Sequence, residues 1–256
     1  MMISEILQYK KWWKNEKNEE SVYLDFLYQI LVGEDIGGSI TELSNLIRGY
    51  RHLCCQIEEE DVHYLDVESC ILQSHKILTT DLLDGKTPPG RLSTLPRSTE
   101  YDGIQFFYPT YKSEEIAFDA IQAVVDQYNS IMFKASKEED DGQKLMAIFK
   151  CAAAFTFTFL TLHPFSDGNG RLARLLCNHC ISTFCPFPMT ITTDRDSFIK
   201  ILIKTRNKLN TFHNPFEYSS DVVREAMEIF HQDTTELCSL LIRDNLTAWK
   251  YYINKY

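Results

Sequence analysis

The sequence predicts an all-α protein that carries one small β-hairpin. Gly and Pro are scarce, 10 and 8 in 256 residues, and long stretches contain neither, so helix-breaking positions are confined to a few points. The run from Leu145 to Leu162 is the most apolar in the chain and suits a buried central helix. Asp102-Gly103, set between β-prone residues, is the strongest short hairpin signal.

Taken in order, residues 3–32 read as one or two amphipathic helices with a break near Asn15-Glu16-Lys17-Asn18. Gly37-Gly38 separates them from a helix over Ser39 to Cys55, and Asp66 to Leu83 forms the next. The hairpin follows within Ser98 to Pro109. Lys112 to Phe133 is helical and leads into an acidic, solvated linker from Lys137 to Gly142. The following helix runs to His163. Within it, Phe155-Thr156-Phe157-Thr158-Phe159-Leu160-Thr161-Leu162 alternates and is rich in β-formers, so propensity alone favours a strand. The Ala152-Ala153-Ala154 lead-in and the apolar load favour a central helix instead. Arg171 to Thr183 holds no Pro or Gly and is helical; Cys185-Pro186-Phe187-Pro188 stops it. Asp194 to Leu209, a turn at Asn214-Pro215 and two further helices complete the chain, without repeats or low-complexity tracts.

The length suffices for one sizeable domain or one domain with helical additions. A 44% hydrophobic content and mixed charge fit a soluble globular protein, and Lys150 interrupts the apolar run, so no membrane span is expected. Asp and Glu outnumber Lys and Arg by 36 to 26, which disfavours non-specific nucleic-acid binding. The opening Met1 to Lys10 lacks the apolar core of a secretory signal, so a cytoplasmic location with reduced thiols is expected for the eight cysteines. Cys177-Asn178-His179-Cys180 has a superficial zinc look. It falls in a predicted helix without a second ligand pair, so core cysteines are expected.

The stretch His163-Pro164-Phe165-Ser166-Asp167-Gly168-Asn169-Gly170-Arg171-Leu172-Ala173-Arg174 concentrates chemistry. Gly168, Asn169 and Gly170 can adopt backbone angles closed to most residues and turn consecutive N–H groups into one anion-binding concavity. The helix that follows would add its positive N-terminal end. Arg171 and Arg174 are spaced to share a helix face and have the fork geometry that suits phosphate oxygens. Asp167, a single carboxylate at the mouth, suits Mg²⁺ beside phosphates. His163 can be a neutral base at physiological pH, and Pro164 should turn it out of the preceding helix. Phe165 should plug the loop onto the core. Alone, the His would more often be structural, the Asp-Gly a turn and the arginines a solvated face; together they point to a site.

This stretch resembles the signature of the Fic (filamentation induced by cAMP) family, His-x-Phe-x-Asp-Gly-Asn-Gly-Arg-x-x-Arg, at every defined position. The resemblance implies an all-α Fic fold with a β-hairpin flap over the active site, and transfer of AMP from ATP to a protein hydroxyl. It makes His163 the general base, Asp167 the Mg²⁺ ligand, and Gly168, Asn169, Gly170, Arg171 and Arg174 the phosphate-binding residues. Asn207, in the next helix, is an adenine-side candidate, with Phe198 another. Doc-like kinases of the family carry Lys at the position of Gly170, so AMP transfer is favoured here. Pro88-Pro89-Gly90-Arg91 resembles the approach to the flap, whose Ser98, Thr99, Glu100, Tyr101, Ile104, Gln105 and Phe106 would receive a target segment by strand addition. The resemblance divides the chain into a helical extension (1–60), a Fic core (61–215, flap about 88–110) and C-terminal helices (216–256). The implied partner is a protein with a Ser, Thr or Tyr acceptor, with self-modification and a homo-oligomer left open.

Many Fic proteins carry an inhibitory Ser/Thr-x-x-x-Glu-Gly/Asn helix whose Glu pairs with the second signature Arg. No run fits: in the nearest segment, Tyr28 to Asp35, Tyr28 stands for Ser/Thr and Val32 for Glu. Arg174 is therefore expected to lack that clamp. Removal of AMP, associated with that Glu, is a related alternative, as is a catalytically silent interaction module. From a different class, Gly168-x-Gly170-x-x-Ala173 fits the dinucleotide fingerprint of NAD(P)-dependent oxidoreductases, with Asp194 and Asp196 at a fitting distance. Gly85-Lys86-Thr87 only echoes a P-loop, because Thr80 stands at its first Gly.

Overall fold

The computed structural model describes residues 4–6, 27, 39–56, 64–82, 88–185, 195–209 and 221–255. Its helices are α1 (Ile40–Cys55), α2 (Gln73–Thr79, preceded by a π-helical turn Val67–Leu72), α3 (Glu114–Ser136), α4 (Asp141–Leu162), α5 (Asn169–Ser182), α6 (Arg195–Arg206), α7 (Val222–Phe230) and α8 (Thr235–Lys255). Strands β1 (Ser98–Tyr101) and β2 (Ile104–Phe107) form the sheet among the described residues. The protein is thus mostly helical with one hairpin. The helices expected over residues 3–32, the Tyr28–Asp35 segment, Gly85-Lys86-Thr87 and Asp194 lie outside the described residues, apart from 4–6 and 27.

α4 is the central helix, packed against α3, α5, α7 and α8. Phe149, Phe155, Phe157, Phe159, Thr156 and Thr158 are all buried, so it meets protein on nearly every side. A helix surrounded by core needs no polar stripe, and the alternation that mimics a strand therefore costs nothing. Thr158 returns its hydroxyl to the Ala154 carbonyl at 2.7 Å, satisfying a polar group that the core would otherwise strand. By length and composition this helix could cross a membrane, but it lies inside the fold as a core element.

Several boundaries differ from the sequence reading. Asp140 caps α4 by accepting the Gln143 N–H at 2.8 Å, so the acidic stretch to Gly142 is helix start rather than linker. Ser113 caps α3, which continues to Ser136. The helix expected from Asp66 to Leu83 is a π turn followed by α2 and ends at Thr79. α5 begins at Asn169, two residues before the expected Arg171. All eight cysteines lie outside disulfides; Cys54 and Cys55 are exposed and the other six buried, including Cys177 and Cys180.

The hairpin is antiparallel, with Tyr101 opposite Ile104 and Ser98 opposite Phe107. Asp102 (φ 52°) and Gly103 (φ 73°) both sit at positive φ. That is the type I′ geometry Asp-Gly favours, and it matches the twist of the flanking strands.

Candidate active site

Between α4 and α5 the chain makes the loop that carries the signature. α4 ends at His163, whose N–H still bonds the Phe159 carbonyl at 2.9 Å while its backbone takes left-handed angles (φ 47°, ψ 59°). A non-glycine residue there is strained, and Pro164 blocks helical continuation. The strain aims the imidazole into a cavity of about 320 Å³.

The loop is pinned from within. Phe165 is fully buried and stacks on His75 at 3.7 Å between ring centroids, as a plug should. Asn169 spends its side chain on the same residue, accepting the Phe165 N–H at 3.0 Å and donating to its carbonyl at 2.8 Å. It therefore fixes the loop, and only its backbone N–H remains to face an anion. Gly168 is the N-cap of α5 at φ 76°, and a Cβ there would lie 2.9 Å from Thr79 Cγ2. Gly168, Asn169 and Gly170 all line the cavity, so the expected anion cradle is the open N-terminus of α5.

The two signature arginines part company. Arg174 lines the cavity, 5.5 Å from the Phe198 ring centroid. Burial and nearby Arg195 lower its pKa to about 10, which leaves it charged at neutral pH. Arg171 lies outside the lining, held between Glu42 of α1 at 3.2 Å and Asp167 at 3.1 Å. Asp167 Oδ1 also accepts the Gly168 N–H at 2.6 Å, yet its side chain is 62% exposed at the cavity mouth. Asn207 is exposed beyond the last turn of α6 and does not line the cavity, whereas Phe198, Ile199 and Leu202 do.

Flap residues Thr99, Glu100, Tyr101 and Phe106 line the cavity; Ser98, Ile104 and Gln105 do not, and Gln105 donates to Ser98 across the strands at 3.1 Å. The hairpin is clamped at its base. Buried Arg97 donates to the carbonyls of Ser93 (2.9 Å), Leu95 (2.7 Å) and Pro109. Ser93 N–H bonds the Pro164 carbonyl at 2.8 Å, tying flap to signature.

Two histidines are held neutral. His75 accepts the Gly90 N–H on Nδ1 at 3.0 Å, so Nε2 carries the proton and donates to the Asp167 carbonyl at 2.9 Å. Burial lowers its pKa to about 4. Burial and then Arg97 lower that of His163 to about 3, with Arg206 adding to the effect and the Leu160 carbonyl opposing it. The sequence reading missed His75, Glu42, Arg97, Tyr108, Arg195 and Arg206. Arg97 and Tyr108 flank a legible hairpin and could have been suspected; the others meet the site only through long-range packing.

The oxidoreductase reading is corrected. Its glycines follow a helix rather than a strand, and no parallel sheet exists among the described residues.

A sequence model of the Fic/DOC family matches residues 64–181. Residues 64–181 are thus similar to a Fic/DOC domain. Among curated relatives, a protein named ribonucleoside-diphosphate reductase small chain, from Ostreid herpesvirus 1, is 35% identical over 119 residues, 46% of this chain and 19% of its own. Protein adenylyltransferase fic-1 of Caenorhabditis briggsae is 24% identical over 181 residues, 69% of this chain and 32% of its own. The chain thus matches only about a fifth to a third of the length of these relatives. A crystal structure of a Fic domain containing signaling protein from Bacteroides thetaiotaomicron superposes with TM-score 0.66 at 20% identity, covering 98% of this chain and 97% of that one, and so shares the fold.

Proposed function

We propose that this chain transfers AMP from ATP to a Ser, Thr or Tyr hydroxyl of a protein, releasing pyrophosphate. The observation that carries the reading is one cavity shared by a neutral His163, the N-terminus of α5 and the Arg174 guanidinium, with a hairpin along its edge. Arg174 and the α5 amides would bind the phosphates, and Phe198, Ile199 and Leu202 would pack the nucleoside. The target hydroxyl would attack the α-phosphorus in line as the bond to pyrophosphate breaks, and His163 would accept the hydroxyl proton.

A base with so low a pKa pulls weakly on that proton. The loose transition state of phosphoryl-type transfer asks little of it, and positioning and charge carry most of the rate. A bound triphosphate, being anionic, would also raise the pKa of His163.

Asp167 suits Mg²⁺: it is one accessible carboxylate beside the phosphate cradle, and the ion takes its remaining ligands from phosphates and water. Among the described residues, no three His, Cys, Asp or Glu side chains cluster to form a cage made by protein alone. The ion would neutralise charge on the α- and β-phosphates.

Mass spectrometry of the protein incubated with ATP, Mg²⁺ and cell lysate tests the reading. Added AMP on the chain or on a lysate protein is expected. His163→Ala should cut the rate roughly 10²–10⁴-fold, the usual span for a general base. Equal adduct in that variant would remove His163 from the chemistry.

A further inference from the structure

A general base usually has its ring fixed by a hydrogen bond on the nitrogen away from the substrate. His163 is held weakly in this respect: Nδ1 is buried without a partner in good hydrogen-bond geometry, and only the Leu160 carbonyl lies near the ring to oppose its lowered pKa. The ring lies instead against Tyr108, 3.8 Å between centroids and within 10° of parallel.

Tyr108 itself is held by its backbone and by its hydroxyl. Its N–H donates to the Arg97 carbonyl at 3.0 Å. Its hydroxyl is hydrogen-bonded to Thr99 and Arg206. The Arg206 guanidinium lies 4.9 Å from the ring centroid. Arg206 closes α6, and Tyr108 follows β2, so the flap and the far wall of the cavity meet beside the base.

We propose that Tyr108 is the positioning residue of this site, its ring setting the orientation of His163 by stacking and its hydroxyl locking that ring to Arg206. The proposal rests on the AMP-transfer reading for its kinetic consequences, though not for the geometry. The imidazole sits on a strained residue and stacks on no other ring among the described residues. With the phenol ring removed, it could rotate about its side-chain bonds, and water would reach Nδ1. Nucleotide contacts on Arg174 and α5 would be untouched.

The test compares Tyr108→Phe, Tyr108→Ala and Tyr108→Leu with the parent in the full chain. Tyr108→Ala should lower kcat about 100-fold, the scale of an ångström-sized misplacement, while KM for ATP stays within about 2-fold. Tyr108→Leu, which fills the space without a stacking face, should behave like Tyr108→Ala and serves if the alanine variant melts too early. Tyr108→Phe keeps the stack and should lose no more than about 5-fold. Combining Tyr108→Phe with Arg206→Gln should cost no more than Arg206→Gln alone if Arg206 acts through the hydroxyl.

A second readout needs no turnover. The His163 ring resonances, followed by NMR against pH, should titrate at higher pH in Tyr108→Ala and remain depressed in Tyr108→Phe. Of the charged and titratable groups facing the ring, the alanine variant removes the Tyr108 phenol and keeps Arg97 and Arg206. Parental kcat and an unmoved titration in Tyr108→Ala would overturn the proposal, as would Tyr108→Phe as damaged as Tyr108→Ala. A parent that attaches no AMP would overturn the AMP-transfer reading and leave the NMR arm to decide on Tyr108.

Discussion

The two sides of the cavity are built in opposite ways. The signature side is interior: Phe165, Asn169 and Arg171 are buried, and the side chains of Asn169 and Arg171 are committed to partners within the protein. The flap side is surface. Residues 98–100 and 102–105 are exposed, and the hairpin is anchored at its base by Arg97 and Ser93. The signature side, where the proposed nucleotide would bind, therefore owes its shape to side chains that cannot move without disturbing the core. The flap side, where the proposed target would dock, offers backbone edges on a surface ribbon, which constrain sequence little. Such a division suits an enzyme whose nucleotide is constant and whose protein target is read mostly through main-chain contacts.

Breaking the interior side should cost most. Gly168→Ala forces a left-handed residue to carry a Cβ into Thr79, so a loss of about 2–4 kcal/mol and a melting temperature lower by about 5–10 °C are expected. A thermal melt of the variant within 1–2 °C of the parent would show the loop to be looser than described.

Acid should find the same side. His75 has a folded pKa of about 4 against about 6.5 when unfolded, so the unfolded chain binds the extra proton between those values. Stability is therefore full above pH 6.5 and falls as the pH drops toward 4, by up to roughly 3 kcal/mol from this residue. His163 acts in the same direction, its pKa being lowered to about 3. Urea unfolding at pH 7, 5.5 and 4.5 measures this, and His75→Gln should flatten the slope. A slope unchanged by that substitution would place the acid sensitivity elsewhere.

Changes on the flap should cost least. Ile104 is 58% exposed, and Ile104→Ser should alter stability by less than about 0.5 kcal/mol. Target modification should also persist if strand pairing rather than side-chain contact docks the target. A tenfold loss of target labelling with unchanged self-labelling would show that the flap reads side chains after all.

Much of this layout was legible in the chain. The helices follow Gly- and Pro-free runs, Asp102-Gly103 placed the hairpin turn, and the signature placed the loop. Propensity failed at Phe155–Leu162, because burial on all sides removes the periodicity that separates helix from strand. The split fate of Arg171 and Arg174 was not legible either. Their spacing allows a shared face, but Glu42, 129 positions earlier, draws Arg171 away. His75 reaches Asp167 across 92 positions, a contact that no local pattern announces.

The most direct measurement runs parallel reactions with ATP labelled on the α- or the γ-phosphate, using parent and His163→Ala proteins. α-Label retained on protein, γ-label lost as pyrophosphate and neither retained with His163→Ala is the predicted result. Retention of γ-label without α-label, or α-label undiminished in the variant, would contradict AMP transfer through His163.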